Sequence, residues 1–168
     1  MVELAVALIV FTAGSGGVVL CHLGAQRLSR INRETEQAVN AALSAVDQVR
    51  SVPFAEAFAR FNATAGDDPA GSSPGSSFDV TGLEPLPGDA DGLPGEILFP
   101  GDGSELSEIV ADASLGMPRD LNADEDDEDA DAAADYVVLP VKVRIEWSGP
   151  SGPRRVEVVT TLAREVTP

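Results

Sequence analysis

The segment of the sequence with the clearest potential for chemistry is an acidic run at residues 120–131, DLNADEDDEDAD. Oxygen-bearing side chains alternate in its first half, as in an EF-hand-type loop that wraps calcium, a hard cation with about six to eight oxygen ligands. The spacing predicts a calcium site whose ligands are Asp120, Asn122, Asp124, Asp126 through its backbone carbonyl, and Asp131 as the closing residue. The pattern departs from that loop because Glu125 replaces the turn glycine and Asp131 replaces a bidentate glutamate. The alternative is a solvated acidic run without a metal.

A second residue of interest is Glu3, which stands at the edge of an apolar run from Leu4 to Gln26 that contains no Asp, Glu, Lys or Arg. The run is long enough to cross a bilayer core of about 30 Å as a helix. A carboxylate at the edge of such a segment is costly to bury and often functional, although an ordinary charge among the headgroups is the alternative. A cleaved secretory signal is the alternative to a transmembrane helix, but it needs basic residues ahead of the run, and none is present.

Composition argues against several other functions. His22 is the only histidine and Cys21 the only cysteine, and both lie in the apolar run, so we expect neither a histidine-based catalytic site nor an intrachain disulfide. The formal net charge is −17, with 11 basic residues spread over the chain. Binding a polyanion requires clustered Lys and Arg, so nucleic acid is not an expected partner. We find no nucleophile–base pair or phosphate-binding glycine motif and predict that the chain is not an enzyme.

The elements that position these residues begin with a helix that continues past the apolar run. Apolar or small residues recur at alternating steps of three and four, the spacing of one helix face: Leu28, Ile31, Thr35, Ala38, Ala42, Ala45 and Val49, with a second row at Val39, Leu43 and Val46. The polar face is predicted to carry Arg30, Arg33, Glu34, Gln37, Asp47 and Arg50. Val52-Pro53 predicts the end of the helix. Three phenylalanines at helical spacing, Phe54, Phe58 and Phe61, then predict a short helix that packs in the core.

The rest of the chain predicts loops followed by a β-hairpin. Residues 62–135 are rich in Gly, Pro, Ser and Asp, with strand-like islands at 78–80 and 96–99. Apolar residues alternate from Tyr136 to Trp147 and again from Arg155 to Ala163, which is typical of half-buried strands. We expect an antiparallel hairpin with a turn at residues 148–153. The predicted organisation is therefore a transmembrane helix at 1–26, an amphipathic helix at 27–61, a loop-rich region at 62–135 and a hairpin at 136–163.

The opening VELAVALIVFTAG, the amphipathic helix and the strand-rich end resemble the type IV pilin and type II secretion pseudopilin family, most of all the minor pilins. In that family the block usually reads Gly-Phe-Thr-Leu-Val-Glu-Leu, after a short basic leader that is cut off behind the glycine. This sequence matches from Val2 onward, and Met1 stands where the family has leucine. We therefore expect either a start codon placed too late or a chain trimmed at its start, with a basic leader upstream in the natural protein. The motif itself lies in the first residues, and the likeness in sequence extends over about the first 50. Beyond them the likeness is only in the order of helix, loops and strands.

The resemblance implies an α+β fold in which a long N-terminal helix packs on a small antiparallel sheet with a loop-rich middle. It implies that Glu3 meets the N-terminal amine of a neighbouring subunit in a filament. The glycines Gly14, Gly16, Gly17 and Gly24 fit close helix packing, and the alternative is that they only soften the helix. It further implies partners among other pilin-like subunits, a single-pass location in the cytoplasmic membrane with the soluble domain outside and an extracellular filament as a destination. If the leader exists, it also implies cleavage by the prepilin peptidase and N-methylation.

The positive-inside rule taken from Met1 conflicts with this orientation. Arg27, Arg30 and Arg33 follow the apolar run and no basic residue precedes it, which would place the C-terminal part in the cytoplasm. A restored basic leader removes the conflict.

The alternative function is a single-pass anchored extracytoplasmic calcium-binding or adhesive module.

Overall fold

The computed structural model describes residues 2–71 and 74–164 and places a long helix against a small antiparallel sheet. The elements within these residues are α1 (Val2–Ser51), α2 (Phe54–Phe61), a 3-10 helix (Pro69–Gly71), β1 (Ser77–Phe78), β2 (Gly95–Leu98), β3 (Val138–Gly149) and β4 (Gly152–Ala163). The strand order is β1-β2-β3-β4, and every neighbouring pair is antiparallel. The α+β class predicted from the sequence is confirmed.

Helix α1 is unbroken for 50 residues and divides into two environments. The side chains of residues 2–30 are all exposed, whereas the second half buries a narrow row on the sheet: Glu34, Ala38, Ala42, Ala45, Val46 and Val49. Half of this row is alanine, whose small side chain lets the helix lie close to the strands. The helix ends at Ser51, because the residue ahead of Pro53 is disfavoured in helical conformation.

The predicted buried face of α1 is partly wrong. Leu28 is 62% exposed and Leu43 is 48% exposed. Leu28 lies nearer the N-terminus than the first buried residue, and Leu43 lies beside the narrow row rather than in it. Glu34, assigned to the polar face, is instead 3% exposed. The sheet covers a narrower stripe of the helix than the apolar spacing suggested.

Strands β3 and β4 form a long hairpin whose register runs from Val138↔Ala163 to Gly149↔Gly152. The alternation predicted for β3 is confirmed, since every second residue on its inner face is at most 1% exposed: Leu139, Val141, Val143, Ile145 and Trp147. The turn predicted over residues 148–153 is too wide, because pairing continues to Gly152 and leaves two residues, Pro150 and Ser151, between the strands. Gly152 has φ +111°, a conformation that glycine adopts without strain.

The hairpin lies alongside the second half of α1. At one end, Arg27 Nη2 donates to Pro150 O (2.9 Å) and to Ser151 Oγ (3.0 Å). At the other end, Arg50 Nη2 donates to Thr160 Oγ1 (2.8 Å). Strand β4 therefore runs in the same direction as α1, with the hairpin turn beside the end of the apolar run.

Helix α2 and the loops close the core over the far end of the hairpin. Phe58 and Phe61 are buried, as the sequence predicted. Tyr136, predicted as the first strand residue, instead lies two residues before β3. Its side chain forms hydrogen bonds to α2. Its hydroxyl donates to Phe54 O (2.5 Å) and accepts from Phe58 N (3.3 Å). Burial raises the pKa of this tyrosine above its ordinary value.

The two predicted strand islands both form strands with shifted bounds. The first becomes β1 at residues 77–78 rather than 78–80, because only Ser77 and Phe78 pair with β2. The second becomes β2 at residues 95–98 rather than 96–99. Gly95 allows the two strands to pack, since a Cβ at this position would lie 2.4 Å from the Phe78 ring.

Candidate functional site

The exposed half of α1 has the length and composition of a membrane span. Glu3 lies in its first turn, is exposed and is the acidic residue of that turn. Large apolar side chains along this half are exposed, for example Val2 at 78% and Phe11 at 73%. A helix with such a surface requires lipid or other apolar partners around it.

Polar side chains inside the apolar run are satisfied by the helix itself. The Thr12 hydroxyl donates to Leu8 O (2.9 Å), and the Ser15 hydroxyl donates to Phe11 O (2.7 Å). The ring Nε2 of His22 lies 2.9 Å from Gln26 Nε2. A polar group without a hydrogen-bond partner costs on the order of several kcal/mol in hydrocarbon. These bonds within the helix therefore suit the run to an apolar environment.

The junction between helix and hairpin contains a buried carboxylate, Glu34. Its Oε1 accepts from Arg30 Nε (2.7 Å), and its Oε2 accepts from the indole Nε1 of Trp147 (3.3 Å). Trp147 is 1% exposed, and the Arg154 guanidinium carbon lies 5.7 Å from its ring centroid. A buried carboxylate between a cation and an indole N–H has both oxygens bonded, so Glu34 joins the soluble half of α1 to β3 by polar contacts as well as by packing.

Residues of the predicted calcium loop bond mainly to the backbone of their own turns. Asp120 accepts from Ala123 N (2.6 Å) and from Glu125 N (3.1 Å). Asp124 and Asp126 each accept from the backbone N–H two residues further on, at 3.1 Å. These bonds stabilise a tightly turned loop in which Ala123 and Glu125 have positive φ.

The two remaining predicted ligands also have protein partners. Asn122 Nδ2 donates to Asp129 Oδ2 (3.0 Å), and Asp131 Oδ1 accepts from Leu106 N (3.1 Å) and Ala133 N (3.0 Å). Within residues 2–71 and 74–164, no three side chains of His, Cys, Asp or Glu gather closely enough to hold a metal ion. Calcium binding by this loop stays a prediction.

A second buried carboxylate, Glu108, lies beneath the acidic loop. Its side chain is fully buried, and its Oε1 accepts from Leu121 N (2.6 Å). Its backbone N–H donates to Asp129 O (3.0 Å). Its Oε2 is also buried, yet it has no hydrogen-bond partner among the described residues. An unpaired carboxylate oxygen at this depth is energetically unfavourable unless a proton, a water molecule or a cation reaches it.

Both buried glutamates were missed by sequence reasoning, and only Glu34 had a signal in its spacing. Glu34 lies four residues before Ala38, in the row that continues to Ala42, so the spacing placed it on the buried face even though its charge suggested the opposite. Glu108 had no such signal: residues 106–110 lie in no helix or strand, Ser107 beside it is also buried, and the apolar Ile109 is 57% exposed.

Comparison with known proteins identifies no relative: the chain matches no protein family, no curated protein and no solved structure.

Proposed function

We propose that this protein is a structural subunit of a pilin-like filament, a minor pilin or pseudopilin of a type IV pilus or a type II secretion system, held in the membrane by α1 before assembly. One observation carries the proposal: α1 is a single helix whose first half is exposed and apolar and whose second half is packed on an antiparallel sheet. Such a helix can move from lipid into a bundle of like helices without refolding, because both environments satisfy the same apolar surface.

Glu3 gives the proposal a specific assembly contact. A carboxylate at the start of an apolar helix becomes favourable in a low-dielectric bundle when it meets a positive charge. In this proposal the positive charge is the N-terminal amine of a neighbouring subunit. No contact within the described chain requires glycine at Gly14, Gly16, Gly17 or Gly24, since a Cβ added there would meet nothing within 4 Å. In this proposal their small size serves close packing against neighbouring helices.

The experiment is to express the full chain with a C-terminal tag in its host, shear the cells and analyse both the released filaments and detergent-solubilised membranes. We expect the chain to co-purify with other proteins that carry an apolar N-terminal helix of the same type. Glu3→Leu should remain in the membrane at a normal level and be depleted from the assemblies, whereas Glu36→Leu, at an exposed site on the same helix, should assemble normally. A chain that never co-purifies with a second pilin-like protein would refute the proposal.

The calcium-binding module is the second candidate, and the unpaired Oε2 of Glu108 favours it. A cation bound at the acidic loop would give this buried oxygen a partner and would offset part of the repulsion among the eight carboxylates of residues 120–131. Thermal unfolding of the full chain with calcium and with a chelator tests this candidate. A calcium-dependent rise in Tm that Asp120→Asn and Glu108→Gln both reduce would support it, and no rise at millimolar calcium would remove it.

A further inference from the structure

The surface of interest is the set of arginines that follow the apolar run, which we call the arginine collar: Arg27, Arg30 and Arg33. All three are exposed. The chain has 28 acidic and 11 basic residues, yet no acidic residue lies between Leu4 and Arg33. The first seven residues beyond the run therefore carry a local charge opposite to that of the molecule as a whole.

The collar lies at the depth of the lipid headgroups if α1 spans a bilayer, as the proposed function requires. The 23 residues from Leu4 to Gln26 extend about 35 Å as a helix, slightly more than the hydrocarbon core. Arg27 then emerges at the interface, and Arg33 lies roughly 9 Å further along the axis. Each headgroup layer is about 5–8 Å thick, so flexible arginine side chains reach it from all three positions.

The fold adds a second element at the same level. Arg27 donates to Pro150 O and Ser151 Oγ, so the β3–β4 turn is fixed beside the first charged residue of the helix. Ser151 is exposed and presents a hydroxyl next to the Arg27 guanidinium. The membrane-facing end of the sheet is thus held against the collar, and both would face the headgroups.

Two collar charges are not neutralised by the protein. Arg30 is paired with Glu34. In the part of the chain that the structure describes, no carboxylate lies within 4.0 Å of the guanidinium nitrogens of Arg27 or Arg33. Arg27 uses only its Nη2 on Pro150 and Ser151, which leaves the N–H groups of Nε and Nη1 for a ligand. A guanidinium with free N–H groups is well suited to bind phosphate oxygens in pairs.

The strongest negative charge lies at the opposite end of the sheet. Val137 N and Val138 N both donate to Leu121 O, which fixes the acidic loop at the start of β3. The hairpin turn is at the other end of this strand, about 40 Å away for 12 residues. Since salt screens charges over about 8–10 Å, an anionic surface at the turn would attract the collar without repelling the acidic loop.

From this charge polarity we infer that the arginine collar, with the β3–β4 turn, binds the phosphates of anionic phospholipids in the leaflet from which α1 emerges. The inference rests on the membrane anchor of the proposed function but not on filament assembly. The occupant is the anionic headgroup, because its charge complements the positive charges of Arg27 and Arg33, which no carboxylate of the described residues neutralises, and because it is the phosphate source at that depth.

Native mass spectrometry of the full chain in neutral detergent, with equal amounts of phosphatidylglycerol and phosphatidylcholine, tests the inference. We expect phosphatidylglycerol adducts to exceed phosphatidylcholine adducts by about fivefold for each free arginine, the factor for one basic residue near an anionic surface. Arg27→Gln/Arg33→Gln should abolish the preference, and Arg27→Lys/Arg33→Lys should keep part of it. Arg60→Gln/Arg119→Gln, an equal charge change away from the collar, should leave the preference intact.

Equal adducts of the two lipids on the wild-type chain, or an unchanged preference in the Gln double variant, would overturn the inference. Arg33→Gln alone keeps the test decisive if loss of the Arg27 bonds unfolds the hairpin, because Arg33 makes no ion pair in the described chain. Flotation with vesicles separates the two proposals. A chain that does not float lacks the anchor, whereas a chain that floats but has no lipid preference contradicts the collar alone.

Discussion

Replacing Glu34 with leucine should destabilise the junction between α1 and the hairpin. The carboxylate is 3% exposed and accepts from Arg30 Nε and Trp147 Nε1. After the substitution Arg30 regains water, since its side chain is 58% exposed. Trp147 is 1% exposed, so its indole N–H remains buried without an acceptor. The loss should therefore be set by the tryptophan rather than by the arginine.

The expected loss of stability follows from the different exposure of Arg30 and Trp147. A buried donor left unpaired costs about 1–3 kcal/mol, and the exposed ion pair with Arg30 adds about 0–1 kcal/mol. We expect Glu34→Leu to lower the free energy of unfolding by about 2 kcal/mol. For a chain of this size, that loss corresponds to a fall in Tm of roughly 4–8 °C.

Thermal unfolding of the full chain in nonionic detergent, followed by circular dichroism, measures this effect. Glu36→Leu is the matched control, because Glu36 is exposed on the same helix. Trp147→Phe removes the indole N–H, so Glu34→Leu should cost at least about 1 kcal/mol less in that background. If Glu34→Leu lowers Tm no more than Glu36→Leu does, or if the two substitutions are additive, the reasoning about the junction is refuted.

Three further outcomes are expected. The hydrogen bond from Lys142 holds the pKa of Asp112 well below its usual range, so this contact stabilises the fold above pH 3.8 and is lost as the pH falls further. In chemical unfolding, the free energy of unfolding of Lys142→Met should therefore decrease less steeply with falling pH than that of the wild type. Gly101→Ala should lower the free energy of unfolding by at least about 1 kcal/mol more than Gly88→Ala, since both have positive φ but a Cβ at Gly101 would lie 2.1 Å from Glu105 O. Equal losses in chemical unfolding would contradict this. Ile145→Val, at a fully buried position, should lower the free energy of unfolding by about 1 kcal/mol. Val159→Thr, at a site 42% exposed, should change it by less than about 0.5 kcal/mol. The reverse order would show that the buried and exposed faces of the hairpin are misassigned.

The parts of the fold that follow periodicity were predictable. The unbroken helix, its end before Pro53 and the inner face of β3 all follow from residue spacing, because a helix repeats every 3.6 residues and a strand every two. The width of the helix stripe was not predictable, since it depends on how far the sheet reaches. Leu28 and Leu43 have the right spacing, but the sheet does not cover them.

The candidate sites were predictable to different degrees. Glu3 was identified from its place beside an uncharged run. Glu34 and Glu108 were not, because a glutamate is usually solvated and its partners come from distant parts of the chain, such as Trp147 for Glu34. The acidic loop was recognised as a segment, but the carboxylate beneath it is contributed by residue 108, outside the spacing of any local motif.

Because α1 is continuous, a change in the angle of its exposed half also moves the domain packed on its second half. The helix has no break between its exposed half and its packed half, and Glu34 fastens the packed half to the hairpin. From Gly14, near the middle of the apolar run, to Ser51 the arm is about 55 Å long. A tilt of about 10° in the bilayer would therefore move the far end sideways by roughly 10 Å, and the acidic loop with it. The angle of the anchor in the lipid would thus determine where the most negative part of the protein is presented to its surroundings.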